Sequence, residues 1–232
     1  MRLVPLAVVL LSLLLPQVGR AQTSPVVIEL FTSQGCSSCP PADALFRELA
    51  EEPGVIALAL HVDYWDYLGW RDSFGSPAFT ARQKAYAKAA HSRRFYTPQM
   101  VVQGNERLVG HDAVRIVRSI AAHQALPAAV DLDVDLEDDL LNIRLTPNGV
   151  PVGTADVHVV RYMPSSEVEI EAGENAGRTI DYTNIVTEWD TIARWDGREP
   201  VDLAYRLTGD EPVAVIVQGS RSGQVYSAAS LP

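Results

Sequence analysis

Phe31-Thr32-Ser33-Gln34-Gly35-Cys36-Ser37-Ser38-Cys39-Pro40-Pro41 holds both cysteines of the 232-residue chain, spaced C-x-x-C. The run before it, Val26-Val27-Ile28-Glu29-Leu30, is apolar enough to read as a buried strand. The run after it, Ala42 to Glu51, reads as a helix. Ala44, Leu45, Leu49 and Ala50 fall at roughly helical spacing, between polar Asp43, Arg47, Glu48 and Glu51. Both sulfurs therefore fall at a strand-to-helix turn. Peptide N–H groups left unpaired at a helix start carry partial positive charge, which favours a thiolate over a thiol. Cys36, exposed at the helix lip, is expected to be the attacking thiol. Cys39, one turn in and more shielded, is expected to resolve.

A lone C-x-x-C fits half a zinc site, a redox pair or an inert structural pair. Zinc takes four ligands, usually with a second Cys/His pair at short spacing. None of the five histidines, His61, His91, His111, His123 and His158, forms an H-x3-5-H pair. With strand and helix flanking the motif, the redox pair is the favoured reading and no metal site is expected. The redox-active disulfide Cys36–Cys39 then needs no added cofactor.

Upstream, Met1 to Ala21 reads as a secretory signal peptide. Arg2 supplies a basic start, Leu3 to Leu15 an apolar stretch too short to span a bilayer, and Gly19-Arg20-Ala21 a small-residue cleavage site. The protein is expected to be periplasmic or secreted. Residues 22–232 contain no apolar run long enough to span, so no stable membrane insertion is expected. The chain carries a formal charge of −10, and removal of Arg2 and Arg20 makes the remainder more acidic still. That argues against nucleic acid and anionic membrane surfaces as partners. In an oxidising compartment Cys36 and Cys39 tend to pair. A four-residue loop gives little loop-closure stabilisation, so the pair is better explained by use than by stapling.

Downstream, Val55 to Val62 reads as a second buried strand, parallel to the first across the helix, and Pro53-Gly54 breaks that helix. Asp63-Tyr64-Trp65-Asp66-Tyr67-Leu68-Gly69-Trp70-Arg71-Asp72-Ser73-Phe74 mixes acids with aromatics at the strand's C-terminal end, where ligands sit in open α/β sheets. It is either a substrate-facing lip carrying Asp63 and Trp65, or a segment whose aromatics pack it onto the sheet. Ser76-Pro77 reads as a cap and first helical position, followed by helix to about Ala90. Pro98 opens a short strand that ends at Gly104, Arg107-Leu108-Val109 returns, and a helix follows to about Ala125.

Strand, C-x-x-C at a helix start, helix, strand, helix, X-Pro, hairpin and helix together resemble the thioredoxin-like fold over residues 26 to about 126. The resemblance implies a cis peptide at Thr97-Pro98, holding backbone ready for an extended substrate beside the cysteines. The helix after Pro77 would sit within an insertion. More closely, Glu29 to Pro40, His61-Val62-Asp63-Tyr64-Trp65-Asp66 and Tyr96-Thr97-Pro98-Gln99 resemble an uncharacterised family of secreted bacterial thioredoxin-like proteins, domain of unknown function 1223. That resemblance implies a fold without an established activity. Two features depart from thioredoxin. The inner dipeptide is Ser37-Ser38, matching neither the Gly-Pro of thioredoxin nor the Pro-His of strong periplasmic oxidants, so the direction of electron flow stays open. Thioredoxin buries an acid below its cysteines, and here Glu29, seven residues before Cys36, is the expected proton relay for Cys39. Its alternative is a solvated edge residue. Pro41 is expected to kink the helix that Pro40 starts.

After Leu126-Pro127 short runs alternate with turn residues. Val130–Val134, Leu140–Leu145, Ala155–Tyr162, Val168–Glu171, Val201–Leu207, Val213–Gln218 and Gln224–Ala228 read as strands. The stretch from Gly173 to Tyr182 reads as a polar loop, either an ordinary surface loop or one reaching toward the cysteines. The expected architecture is thus a signal peptide over 1–21, an α/β thioredoxin-like domain with an inserted helix over 22–127, and an all-β sandwich-like domain over 128–232.

The expected activity is thiol–disulfide exchange on exported protein thiols or disulfides, with a membrane electron donor or acceptor as the second partner expected. Catalysis would rest on Cys36, Cys39 and Glu29, and substrate contact on Thr97, Pro98, Ser37, Ser38, Trp65 and Asp63. One rival is Cu(I) binding by the two thiolates, with His61 or His91 as a third ligand. The other is a non-catalytic partner-binding protein with vestigial cysteines.

Overall fold

A computed structural model describes residues 24–221 and 223–232. The signal peptide expected over Met1–Ala21 lies outside the described residues. Among the described helices none is long and apolar enough to cross a membrane.

The first half builds β1 (Val26–Thr32), α1 (Pro40–Ala50), β2 (Val55–His61), a 3-10 turn (Asp66–Leu68), α2 (Pro77–Ala89), β3 (Gln99–Val102), β4 (Glu106–Val109) and α3 (Ala113–Gln124). Every residue of β1 is buried, as a strand covered on both faces requires. β1 pairs with β2 in parallel and with β3 antiparallel. Pro40 and Pro41 both fall in the first turn of α1, where the missing N–H groups have no intrahelical partner to lose. Pro41 therefore does not interrupt the helix, contrary to the kink expected of it. Ser76 caps α2 by accepting from Ala78 N at 3.2 Å.

The buried residues of α1 are Ala42, Asp43, Phe46 and Leu49, with Ala44 exposed. The stripe is rotated from the expected Ala44–Leu45–Leu49–Ala50 face, because the bulky Phe46 ring takes the core position. That rotation carries Asp43 inside.

The second half builds β5 (Val130–Glu137), β6 (Leu140–Pro147), β7 (Ala155–Ile170), β8 (Arg178–Trp195), β9 (Val201–Arg206), β10 (Val213–Gly219) and β11 (Val225–Leu231). It does not form a sandwich of its own beside a thioredoxin-like α/β unit, and that expectation is corrected. The protein is mostly β, and one mixed eight-stranded sheet runs β11-β10-β7-β8-β2-β1-β3-β4, drawing strands from both sides of residue 127. β5, β6 and β9 form a second, three-stranded sheet. The join in the large sheet is a single parallel bridge, Ala59 opposite Ile185.

Packing reinforces that join. Val27, Phe31, Leu58, Leu60, Phe79 and Tyr86 share a core with Val160, Val186, Ala214, Ile216, Val225 and Ala228. On the other face of β1, Val26, Ile28 and Leu30 pack with Ala42 and Phe46 of α1 and Ile116 and Ile120 of α3. A third core lies between β5–β6 and β7–β10, around Leu141, Ile143, Val157 and Val215. The strand missing from the sequence reading is β8. Its partner β7 runs unbroken where two strands were expected, and the two form one long hairpin. The polar Gly173–Tyr182 stretch is the tip of that hairpin and the start of β8.

Candidate functional site

Cys36 and Cys39 form a disulfide with their Cα atoms 5.4 Å apart. The chain turns there through Cys36 N donating to Ser33 O and Cys39 N donating to Cys36 O, each at 3.1 Å. Cys39 is the N-cap of α1, and its carbonyl accepts from Ala42 N and Asp43 N. The helix start expected behind the sulfurs is present. Cys36, however, is 3% exposed rather than standing free at the helix lip, and Cys39 is fully buried. Ser37 and Ser38 are exposed, and Ser38 Oγ lies 3.4 Å from Cys36 Sγ.

Two insertions cover Cys36. The first is the acid–aromatic segment after β2. Gln34 N donates to Asp72 Oδ2 at 2.8 Å, and Trp70 Nε1 donates to Gln34 Oε1 at 2.8 Å. Trp65 packs on Gly35, where an added Cβ would come within 3.2 Å of the Trp65 Cβ. The second is the tip of the β7–β8 hairpin. The Asn175 side-chain amide donates to Gln34 O at 2.9 Å and to Cys36 O at 3.0 Å, and the residue is 1% exposed.

The Thr97–Pro98 peptide is cis. Gly110 brings it beside the cysteine helix: a Cβ at Gly110 would meet Pro98 Cβ at 2.8 Å and Ala42 Cβ at 3.2 Å. Trp65 Nε1 donates to Thr97 Oγ1 at 2.7 Å, so one indole spans the cysteine turn and the cis-proline. Among the described residues no backbone group takes the Thr97 N–H or carbonyl. Asp63 is turned to α2 instead, accepting from Thr80 Oγ1 at 2.6 Å.

Glu29 is not below the cysteines. Strand alternation sends it to the face opposite α1, where it is 1% exposed and paired with Arg82 through contacts of 2.6 and 2.8 Å. Tyr86 hydroxyl also donates to it, and Gln218 of β10 bonds both Arg82 and Tyr86. Arg82 stacks 3.6 Å from the Trp189 ring centroid.

The buried acid on the cysteine helix is Asp43, whose backbone N–H donates to the Cys39 carbonyl. It follows Cys39 by one helical turn, the spacing that puts two side chains on one face. Its Oδ1 accepts from Thr32 Oγ1 at 2.7 Å, and its Oδ2 is buried with no hydrogen-bond partner. Burial pushes its carboxyl up to about 7, against the pull of Thr32 and His61. His61 stands beside Thr32 at the end of β2, fully buried, with Nδ1 2.8 Å from Asp72 Oδ2 and Nε2 unpartnered. Burial alone would raise Asp72, but His61 and the N–H groups of Gln34 and Phe74 hold it below the usual carboxylate range. The Tyr182 ring lies 4.7 Å from His61, and its buried hydroxyl is also unpartnered. A cavity of about 380 Å³ follows α1 from Pro40 past Asp43 to Arg47, closed on its other side by Arg178 to Asp181.

Sequence reasoning missed Asp43, His61 as its neighbour, and Asn175. For Asp43 a signal existed, an acid four residues after the second cysteine on the same helix. For Asn175 the sequence offered only the loop from Gly173 to Tyr182, with a reach toward the cysteines as one of its two readings; the residue that makes the contact was not singled out. His91, the other proposed copper ligand, is exposed just past α2. Among the described residues no group of three or more His, Cys, Asp or Glu side chains is arranged to hold a metal.

A crystal structure of protein AGR_C_4864 from Agrobacterium tumefaciens superimposes with a TM-score of 0.77 at 30% identity, covering 91% of this chain and 96% of that one. HBP35 of Porphyromonas gingivalis matches with a TM-score of 0.59 at 14% identity, over 90% of this chain and 75% of its own, a likeness of fold alone. Among curated proteins none matches the chain. The family described as a protein of unknown function, DUF1223, matches residues 27–218, which is most of the chain, and the protein belongs to that family.

Proposed function

We propose that the protein is an exported thiol–disulfide oxidoreductase working through Cys36 and Cys39. The observation that carries this reading is the disulfide at the start of α1 with the buried, half-unpartnered carboxyl of Asp43 one turn along. A structural disulfide has no use for a buried acid that exchanges its proton near neutrality. A redox pair has one, because the buried sulfur must gain or lose a proton as the bond breaks or forms.

The step balances as follows. A thiolate of a partner dithiol attacks Cys36 Sγ, the Cys36–Cys39 bond breaks, and its electron pair leaves on Cys39 Sγ. Asp43 gives Cys39 its proton and regains one through the cavity along α1. The partner's second thiolate then attacks its own sulfur in the mixed disulfide and releases Cys36 as a thiolate facing the helix start. The partner is oxidised to a disulfide and the Cys36–Cys39 pair is reduced. Run backwards, the same steps reduce a partner disulfide. Thr97 offers its unused backbone N–H and carbonyl to an extended substrate, and Trp65 holds it in place through its hydroxyl. The partners in this reading are exported protein thiols and a membrane donor or acceptor that resets the pair.

The test is equilibration with glutathione buffers followed by mass-resolved alkylation. A reversible two-electron transition at a defined potential is the expected result. Near −270 mV, the region of thioredoxin, the protein is a reductant; near −120 mV it is an oxidant. A pair that does not exchange at any poise would falsify the reading.

A further inference from the structure

From Ser73 through Asn105 the sequence contains no Asp or Glu, in a chain that carries 29 of them. The same stretch holds Arg82, Lys84, Lys88, Arg93 and Arg94. Arg82 is consumed by Glu29. The other four are exposed, and among the described residues none has a carboxylate within ion-pair distance. Elsewhere Arg47, Arg144, Arg161, Arg194 and Arg206 meet acids, while Arg71, Arg107, Arg118, Arg178 and Arg198 meet none among the described residues. What sets this stretch apart is a face with four exposed, unpaired cations and no acid in its own sequence.

That face also shows aromatics. Phe95 and Tyr96 are each 37% exposed, and Lys84 Nζ stands 5.2 Å from the Phe95 ring centroid. Tyr64 meets Phe95 edge-on at 5.5 Å, and Tyr67, 76% exposed, stacks on Trp65. The segment Arg93-Arg94-Phe95-Tyr96 runs without regular structure straight into Thr97 and the cis-proline. Gln83 Nε2 ties it down by donating to Tyr96 O at 2.8 Å. The patch is therefore continuous with the backbone edge assigned to substrate. Lysine and arginine leave their aliphatic stems on aromatic surface while presenting charge outward, which suits a chain with both apolar and acidic side chains.

We infer that Lys84, Lys88, Arg93, Arg94, Phe95 and Tyr96 form the docking surface for an acidic, aromatic-containing extended segment of the polypeptide whose cysteine is exchanged. The inference rests on the exchange reading and names its substrate class. The protein's net charge of −10 does not forbid it. At about 0.1 M salt charges more than roughly 10 Å away are screened, so an approaching chain responds to the local patch. A membrane carrying anionic lipid would also meet a basic, aromatic face, but continuity with the cis-proline favours a polypeptide.

The experiment uses the mature protein and two synthetic decapeptides with a central Cys-Ala-Tyr-Cys dithiol, flanked in one by glutamates and in the other by lysines. Stopped-flow reduction of the Cys36–Cys39 disulfide is followed at low and high salt. Anisotropy measures binding of serine-substituted copies of both peptides. The acidic peptide is expected to react faster by on the order of tenfold at low salt, and salt should narrow the gap. The double variant Arg93→Glu/Arg94→Glu should reverse the preference while leaving the rate with uncharged dithiothreitol unchanged. Equal rates and equal binding for the two peptides overturn the inference while the exchange reading stands. Selective binding of the acidic peptide without exchange keeps the docking surface and sinks the exchange reading. Vesicles of phosphatidylcholine with a quarter phosphatidylglycerol provide the third arm. If the double variant loses vesicle binding and the peptides show no preference, the face is a membrane surface and the inference fails.

Discussion

Asp43 is an ordinary first-turn helix acid by position, and acids there commonly face solvent and complement the helix dipole. Here it faces Thr32 and the interior, and burial raises its carboxyl from 3.8 to about 7. The sign of the consequence is definite. Between those values the unfolded chain ionises Asp43 while the folded protein keeps it protonated, so the unfolded state binds fewer protons and stability falls as pH rises. A gap of about three units corresponds to roughly 4 kcal/mol. Asp43→Asn keeps an acceptor for Thr32 and removes the titration. It should therefore unfold at higher urea than the wild type at pH 8 and at similar urea near pH 4. The same variant should reduce its disulfide on the order of a hundredfold more slowly at pH 7 and lose the inflection of the rate near that pH. A wild-type pH–rate profile in Asp43→Asn would remove Asp43 from the mechanism. Glu29→Gln should do the reverse, leaving that profile in place while breaking a buried ion pair, at a cost of about 3–5 kcal/mol in urea melts.

At the scale of elements, the β7–β8 hairpin decides how the cysteines are reached. Its tip turns through Gly173 and Gly177, both at positive φ, and Gly173 sits where a Cβ would come within 3.1 Å of the Trp70 Cβ. The turn sets Asn175 onto the carbonyls of Gln34 and Cys36. Asn175→Ala leaves the Gln34 carbonyl without its donor, worth about 1–3 kcal/mol, while the Cys36 carbonyl keeps Cys39 N. Cys36 in the reduced variant should be alkylated several-fold faster than in the reduced wild type, measured by timed iodoacetamide quench. Equal rates would mean the tip covers no approach to the sulfur. A second element-scale contact lies at Gly110, wedged between Pro98 and Ala42. Gly110→Ala must push the cis-proline and the first turn of α1 apart, and exchange with peptide substrates should suffer more than exchange with dithiothreitol.

Across the whole molecule the two halves are sewn together less by strand pairing than by packing and a polar hub. The large sheet crosses from one half to the other through one bridge. Val27, Phe31 and Tyr86 nevertheless share a core with Val160, Ala214 and Ile216, and Gln218 of β10 reaches into the Glu29–Arg82–Tyr86 cluster. Calorimetry should accordingly record one unfolding transition rather than two. Residues 128–232 expressed alone should expose Val160, Ala214, Ile216 and Val225 and fail to give a sharp melt. A separate cooperative transition for that fragment would contradict the shared core.

Much of this was written locally. The cysteine turn, α1 to α3, the short β3–β4 hairpin and nearly every late strand rest on apolar period, caps, prolines and glycines, which act within a few residues. Trp65 bonds Thr97, and Gly110 brings Pro98 beside the cysteine helix. β8 escaped the sequence reading because its Ile180, Tyr182, Ile185 and Val186 positions are interrupted within the strand by Asp181, Asn184, Glu188 and Asp190, and with it went the link between halves. A strand's partner is chosen by surfaces that close only when distant segments meet, so the sequence by itself determined which segments are helices and strands and where the sulfurs stand. Only the tertiary structure decided that both halves share one sheet, that Glu29 faces Arg82 while Asp43 is buried against Thr32, and that Asn175 bonds the Cys36 carbonyl. Those outcomes depend on which large side chains fill the core first and on contacts spanning more than a hundred residues, where no local pattern carries the choice.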